Sequence, residues 1–168
     1  DITKWVIQSE DTTSILFCYS LGKAQRLLSE LNSHKFRNIY IHKSINKINI
    51  TYKRLGIELV EAKIFDNDLD INNLKNSLLL LPPSLNNKNF LKKFKRVQTS
   101  FASGWMSIRA LKKRSGFDKG FPLSDHADWN GLIKTIIESE AKKVFLNHGD
   151  GESLAKFLLD KEDLNIKK

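Results

Sequence analysis

Short apolar runs alternating with stretches of helical periodicity predict an α/β fold with a mostly parallel sheet. Three observations carry this. Ser14–Tyr19, Asn38–His42 and Ser77–Leu81 are apolar segments of strand length. Ala24, Leu27, Leu28 and Leu31 place one apolar face on a helix over Leu21–Leu31. The same rhythm returns late in the chain. A strand around Phe121 and Leu123 leads to a loop holding His126; Asp128 then N-caps a helix with Leu132, Ile133, Ile136 and Ile137 at helical spacing. A short buried strand, Val144-Phe145-Leu146, follows, with His148 just past its end. Two parallel strands joined by a helix would bring both histidines to one carboxyl edge, where open α/β sheets bind ligands.

The remaining elements follow in order. Ile2–Gln8 reads as the end of a helix with Trp5 inward, and Glu10–Ser14 as a polar loop. Gly22 and Lys23 fall at a strand-to-helix junction. Free N–H groups beside a lysine could seat a phosphate; a tight turn needing glycine explains the same residues, and the spacing favours the turn. His42 ends the second strand and His34 precedes it; both read as surface or loop residues. Lys43–Leu55 is a helix candidate closed by Gly56, Ile57–Phe65 contains a third strand, and Asp66–Asp70 is an acidic loop without the glycine and glutamate of a calcium-binding EF-hand. Pro82-Pro83 ends the Ser77–Leu81 strand. Asn86–Phe94 predicts a basic amphipathic helix and Lys95–Phe101 a strand leading into Ser103-Gly104-Trp105, where glycine permits a close approach of backbone to ligand or neighbour. Lys112-Lys113-Arg114 is a basic loop. Glu152–Asp160 is a closing helix with Leu154, Phe157 and Leu158 inward, and Glu162–Lys168 a charged tail.

At 168 residues the chain can bury a real core. Its net charge of +9 favours a polyanionic partner, softened by a composition rich in Lys, Asn and Ile. A single cysteine, Cys18, excludes an internal disulfide and fits a reducing, cytoplasmic setting; in an apolar strand it reads as inert packing. No apolar run has membrane-span length, so no membrane partner is expected, and no signal peptide is visible. The chain begins at Asp1 and its one methionine is Met106, which suggests a fragment, a processed product or a domain.

Five short motifs occur in order: Tyr19-Ser20-Leu21-Gly22-Lys23-Ala24-Gln25-Arg26, Pro82-Pro83-Ser84, Ser103-Gly104-Trp105-Met106, Ser124-Asp125-His126-Ala127-Asp128-Trp129, and Leu146-Asn147-His148-Gly149. Together they resemble the metallo-β-lactamase-fold nucleases of the β-CASP group, in particular the ligase-associated DNA exonucleases, relatives of the mRNA 3′-end-processing nucleases. The resemblance covers nearly the whole chain. It implies a Rossmann-like β-CASP cap over residues 1–119 and, over residues 120–168, the carboxyl-terminal portion of a metallo-β-lactamase αββα domain. It implies a two-zinc enzyme that hydrolyses phosphodiesters in DNA repair, with His148 as a metal ligand and His126 as the catalytic group beside the scissile phosphate. Gly22, Lys23, Ser103, Gly104, Lys112, Lys113 and Arg114 would line the substrate path. The implied partners are nucleic acid, DNA before RNA, the missing amino-terminal half of the metallo-β-lactamase domain, and a DNA ligase.

The chain departs from the pattern by lacking any His-x-His-x-Asp-His motif and the other upstream ligands. A two-zinc site needs donors on both ions, so this chain alone is expected to be inactive. An RNA-processing β-CASP ribonuclease and a non-catalytic nucleic-acid-binding or assembly subunit stay open as alternatives; a small-molecule metallohydrolase fits less well, since such enzymes lack the cap.

Overall fold

The computed structural model describes residues 1–31, 35–66, 69–110, 116–147, 151–161 and 165–167. It is α/β, as the alternating pattern predicts, and divides into two compact units, Asp1–Asp125 and His126–Lys168.

In the first unit the described strands are β1 (Thr13–Phe17), β2 (Ile39–His42), β3 (Lys63–Phe65), β4 (Leu78–Leu81), β5 (Val97–Ala102) and β6 (Lys119–Phe121). They form one sheet in the order β3-β2-β4-β1-β5-β6, and every pairing is parallel. β1 is central, with Phe17 opposite Leu81 on one side and Phe101 on the other. Strands buried on both faces need continuous apolar runs rather than alternation, and Ile15-Leu16-Phe17 and Leu78–Leu81 supply them. All seven side chains are fully buried, each worth about 1.5–3 kcal/mol relative to exposure.

The strand periodicity sorts these residues onto two faces. Leu16, Leu78, Leu80, Ile39 and Ile41 meet the helices α1 (Ile2–Ile7), α2 (Lys23–Glu30) and α3 (Lys43–Arg54) through Val6, Leu27, Leu28 and Ile45. Ile15, Phe17, Leu79 and Leu81 meet Leu74, Phe90 and Phe94 on the other face. Phe90 lies in the short helix α4 (Lys88–Leu91), and Leu74 in a 3₁₀ turn, Ile71–Leu74. Connections running towards β3 therefore cover one face, and those running towards β6 cover the other, as right-handed crossovers require.

The helix expected over Asn86–Phe94 is reduced to the single turn of α4, preceded by a 3₁₀ turn at Pro83–Leu85. Asn87 starts α4 by accepting the Phe90 N–H at 3.0 Å. Lys88 and Lys92 would stack like charges at i, i+4. Phe90 and Phe94, 5.4 Å apart edge to face, are both held against the sheet.

The second unit contains α5 (Trp129–Glu138), β7 (Lys143–Phe145), α6 (Glu152–Lys161) and β8 (Asn165–Lys167). Asp128 caps α5 as expected, accepting the Gly131 N–H at 2.8 Å. Trp129 packs edge to face on Phe157 at 5.5 Å, and Leu158 is fully buried. Two expectations are corrected. β6 and β7 do not share a sheet: β6 pairs with β5, whereas β7 pairs in parallel with β8, a strand formed within the expected charged tail. β6 is drawn to the first core because Phe121 packs there and meets Trp5 at 5.6 Å. Nor is β7 buried, since Phe145 is 69% exposed.

His42, read from sequence as a surface residue, is the N-cap of α3: its Nδ1 accepts the Ser44 N–H at 3.2 Å and lies 2.8 Å from Ser44 Oγ. Burial, and secondarily the Lys43 ammonium, hold its pKa below the ordinary 6.5. The unfolded chain therefore takes up the proton first as pH falls. The stability contributed by neutral His42 is complete above about pH 6.5 and is lost as pH drops through the lower folded value. His42→Asn preserves a cap but cannot titrate. Urea unfolding at pH 7.5 and 5.5 is expected to show a smaller acid-side loss for His42→Asn than for the parent; equal losses would refute the assignment.

Candidate functional site

In open α/β sheets, adjacent parallel strands whose connections leave for opposite faces open a crevice at their carboxyl ends. β1 and β5 are such a pair. α2 follows β1 onto one face. Past Ser103 and the 3₁₀ turn Gly104–Ser107, the chain after β5 brings Phe117 to the other. Three sequence motifs meet here: Tyr19–Gln25 after β1, Ser103–Met106 after β5, and Pro122–Asp125 after β6.

Gly22 stands at φ +79°, in the left-handed region, and a Cβ there would lie 2.9 Å from Asp125 Oδ2. Both facts require glycine. Lys23 begins α2 with its ammonium ion-paired to Asp125 Oδ1. Lys23 is 5% exposed, and the Asp125 side chain 35%. The ammonium also sits 5.3 Å from the Tyr19 ring centroid. The N–H groups that a bound phosphate would need are used within the chain. Gly22 donates to Gln25 Oε1 at 2.8 Å, Lys23 to the Leu21 carbonyl at 3.0 Å and Ala24 to the Tyr19 carbonyl at 3.2 Å. Gly22 and Lys23 thus build a closed turn clamped on Asp125, the plainer of the two readings their spacing allows.

Gln25 belongs to the first motif, but the sequence assigned it no role of its own. It is almost fully buried. Besides accepting from Gly22, its amide donates to the Ser20 carbonyl at 3.0 Å and to Asn49 Oδ1 at 2.8 Å. A glutamine three residues after a helix-entry residue is the available signal. Arg26 adds a link from its Nη1 to the Ser124 carbonyl at 2.9 Å.

Ser103 and Gly104 complete the knot. Ser103 is buried, its Oγ accepting the Trp105 N–H at 3.4 Å. Its N–H donates to the Phe121 carbonyl, and its carbonyl accepts from Leu123. A Cβ on Gly104 would lie 3.3 Å from Ser124 Cβ. Both residues hold the loop after β6 against the end of β5. Trp105, Leu21 and Tyr19 are large side chains that this edge leaves exposed. Cys18, beneath the loop, is inert: burial pushes its thiol up to about 12, although Lys23 pulls the other way.

His126 follows Asp125 directly and is exposed at the start of the second unit. His148 lies outside the described residues, as do Lys112, Lys113, Arg114 and His34. Among the described residues no three His, Cys, Asp or Glu side chains gather as a metal would need, so these residues do not by themselves compose a zinc site. No helix among them is long and apolar enough to cross a membrane.

The clamp makes a quantitative expectation. Gly22→Ala forces an unfavourable φ and a close approach to Asp125, so it should destabilise the first unit by at least about 1 kcal/mol. Lys23→Met and Asp125→Asn, with their double variant, should show a coupling of about 0.5–3 kcal/mol, towards the low end because Asp125 is partly solvated. Urea unfolding of the four chains measures it, and simple additivity would remove the clamp.

No protein-family model matches this chain. A protein named "Probable DNA ligase" from Opitutus terrae is similar to it, at 27% identity over 153 residues. The match covers 91% of this chain and 15% of that protein, so the chain spans only a small part of its relative's length.

Proposed function

We propose that this chain is the carboxyl-terminal part of a metal-dependent, β-CASP-type nuclease acting on DNA. One observation carries the reading. Motifs separated by as many as 102 residues converge on the β1/β5 crevice, joined by the Lys23–Asp125 pair, and the next residue in the chain is His126. The similarity to a much longer protein with a DNA-ligase name supports DNA as the polymer and a multidomain setting. The second unit adds support of its own. α5 presents an apolar stripe yet buries none of its residues, and Phe145 is exposed. Those faces suit the rest of a metallo-β-lactamase domain as their cover.

The roles divide accordingly. In the complete protein His126 contacts the phosphate or protonates the departing oxygen, a task for a positioned imidazole acting as general acid. His148 is a proposed zinc ligand, and the remaining donors come from the rest of the polypeptide. Lys112, Lys113 and Arg114 supply sequence-independent binding to the phosphate backbone, whereas Lys23, its charge already paired, holds the loop that precedes His126.

Two measurements test this. Binding of the chain to a labelled single-stranded DNA should weaken steeply with salt. Joint replacement of Lys112, Lys113 and Arg114 by Gln should lower the log–log slope by about one for each phosphate those side chains neutralise, while Lys23→Gln leaves it unchanged. Salt-independent affinity would defeat the nucleic-acid reading, and a strong preference for RNA of the same sequence would favour the ribonuclease alternative. In the complete protein, His126→Ala should cost about 10²–10⁴-fold in single-turnover cleavage with zinc retained, and His148→Ala should lower zinc content. The reverse pattern would exchange the two assignments, and no effect from either would refute the site.

A further inference from the structure

Connections diverge elsewhere along the same edge. β2 and β4 are neighbours; α3 follows β2 onto one face, and the Pro83–Leu85 turn and α4 follow β4 onto the other. Their carboxyl ends therefore frame another crevice of the kind that binds ligands in parallel sheets, and it holds a cavity of about 360 Å³. That volume lies within the roughly 300–1,000 Å³ typical of small-molecule sites.

The lining has two chemical parts. Phe65 at the end of β3, Leu85 and Phe90 give an apolar floor. Lys43, first residue of α3, and Lys93, beyond α4, stand on the rim, and among the described residues neither is ion-paired. The lining also holds one carboxylate, Asp66, which has an interaction within the chain and leaves a basic excess of one. His42 also lines the cavity; with Nδ1 accepting from Ser44, its neutral ring keeps the proton on Nε2 and offers a donor. Asn87 has its carbonyl oxygen committed to the Phe90 N–H, which leaves the Asn89 amide as a group able both to donate and to accept. An apolar floor, an adaptable amide and two lysines without an ion pair among the described residues match a ligand with a flat, hydrogen-bonding portion and an anionic one.

We propose that this crevice is a nucleotide site, taking one base against Phe65, Leu85 and Phe90 and one phosphate at Lys43 and Lys93. A free mononucleotide and a nucleotide within a strand share this chemistry. The site stands apart from the proposed hydrolysis and does not rest on it: its lining contains none of the residues assigned to cleavage or to the basic loop.

The test is an NMR titration of the isotope-labelled chain with dAMP, deoxyadenosine, inorganic phosphate and single-stranded oligo(dA), read at the His42 ring and the Asn89 side-chain amide. dAMP is expected to saturate both signals with a Kd near or below about 1 mM, and deoxyadenosine and phosphate to bind at least about tenfold more weakly. The Lys43→Gln/Lys93→Gln double variant should lose about tenfold in dAMP affinity. Lys75→Gln/Lys95→Gln, at a cavity by the amino ends of the strands, should lose nothing. Oligo(dA) that moves the same signals and competes with dAMP identifies the occupant as a strand; oligo(dA) that leaves them unmoved identifies a free nucleotide, and either result upholds the site. It is overturned if dAMP gives no saturable change at His42 and Asn89, or if the two double variants lose affinity equally. Neither result would alter the expected salt slope or the effect of His126→Ala, so the two readings fail separately.

Discussion

The carboxyl edge of the first unit depends on one buried charge. An ammonium that is nearly sequestered from solvent must be paired, because an isolated buried ion costs several kcal/mol. Lys23 finds Asp125, which arrives from the far end of the unit. That meeting requires the chain at Gly22 to turn through a left-handed conformation with nothing on the α-carbon. It requires Gln25 to satisfy the turn's own polar groups. And it requires β6 to lie beside β5, so that Ser103 and Gly104 can receive Leu123 and Ser124. Each condition is local, but the pair links them across the whole unit.

Much of the first unit was legible in the chain. Ile15–Phe17 and Leu78–Leu81 are continuous apolar runs because both faces of their strands are covered, and the spacing in α2 follows from having only one face to bury. The second unit was less legible because its strands are too short to carry a pattern. Three residues of β7 are compatible with any partner, and the sequence could not reveal that Phe121 packs on Trp5 while Lys143–Phe145 pairs with Asn165–Lys167. α4 departs from expectation differently: the basic amphipathic helix read over Asn86–Phe94 is a single turn, Lys88–Leu91, with Phe90 and Phe94 held against the sheet.

The candidate site divides along the same lines. Glycine at the strand-to-helix junction was recognisable as a turn, since residue type and backbone geometry are nearly equivalent there. The role of Lys23 was not, because a lysine beside a glycine looks the same whether it faces a phosphate or an aspartate 102 residues away. His42 carried a usable signal, the last residue of an apolar strand directly before a helix, but histidine is an uncommon cap and the position reads as loop. Ser103 was read as lining a substrate path; here its hydroxyl and backbone serve the closure of the fold.

Once Lys23 is internal, the positive charge offered to a polyanion must come from elsewhere, and its distribution becomes informative. Connections diverge at several points along this carboxyl edge, because β1 and β2 send theirs to one face while β4 and β5 send theirs to the other. The β1/β5 crevice is filled by the chain itself: its glycines admit neighbouring loops, its lysine is neutralised and its N–H groups are spent. The β2/β4 crevice keeps an open volume and two lysines that form no ion pair among the described residues. A sheet edge that closes one crevice with its own loops gains a rigid platform for the segment leaving Asp125. The open volume lies instead at the β2/β4 crevice, where the proposed nucleotide site has its apolar floor and basic rim.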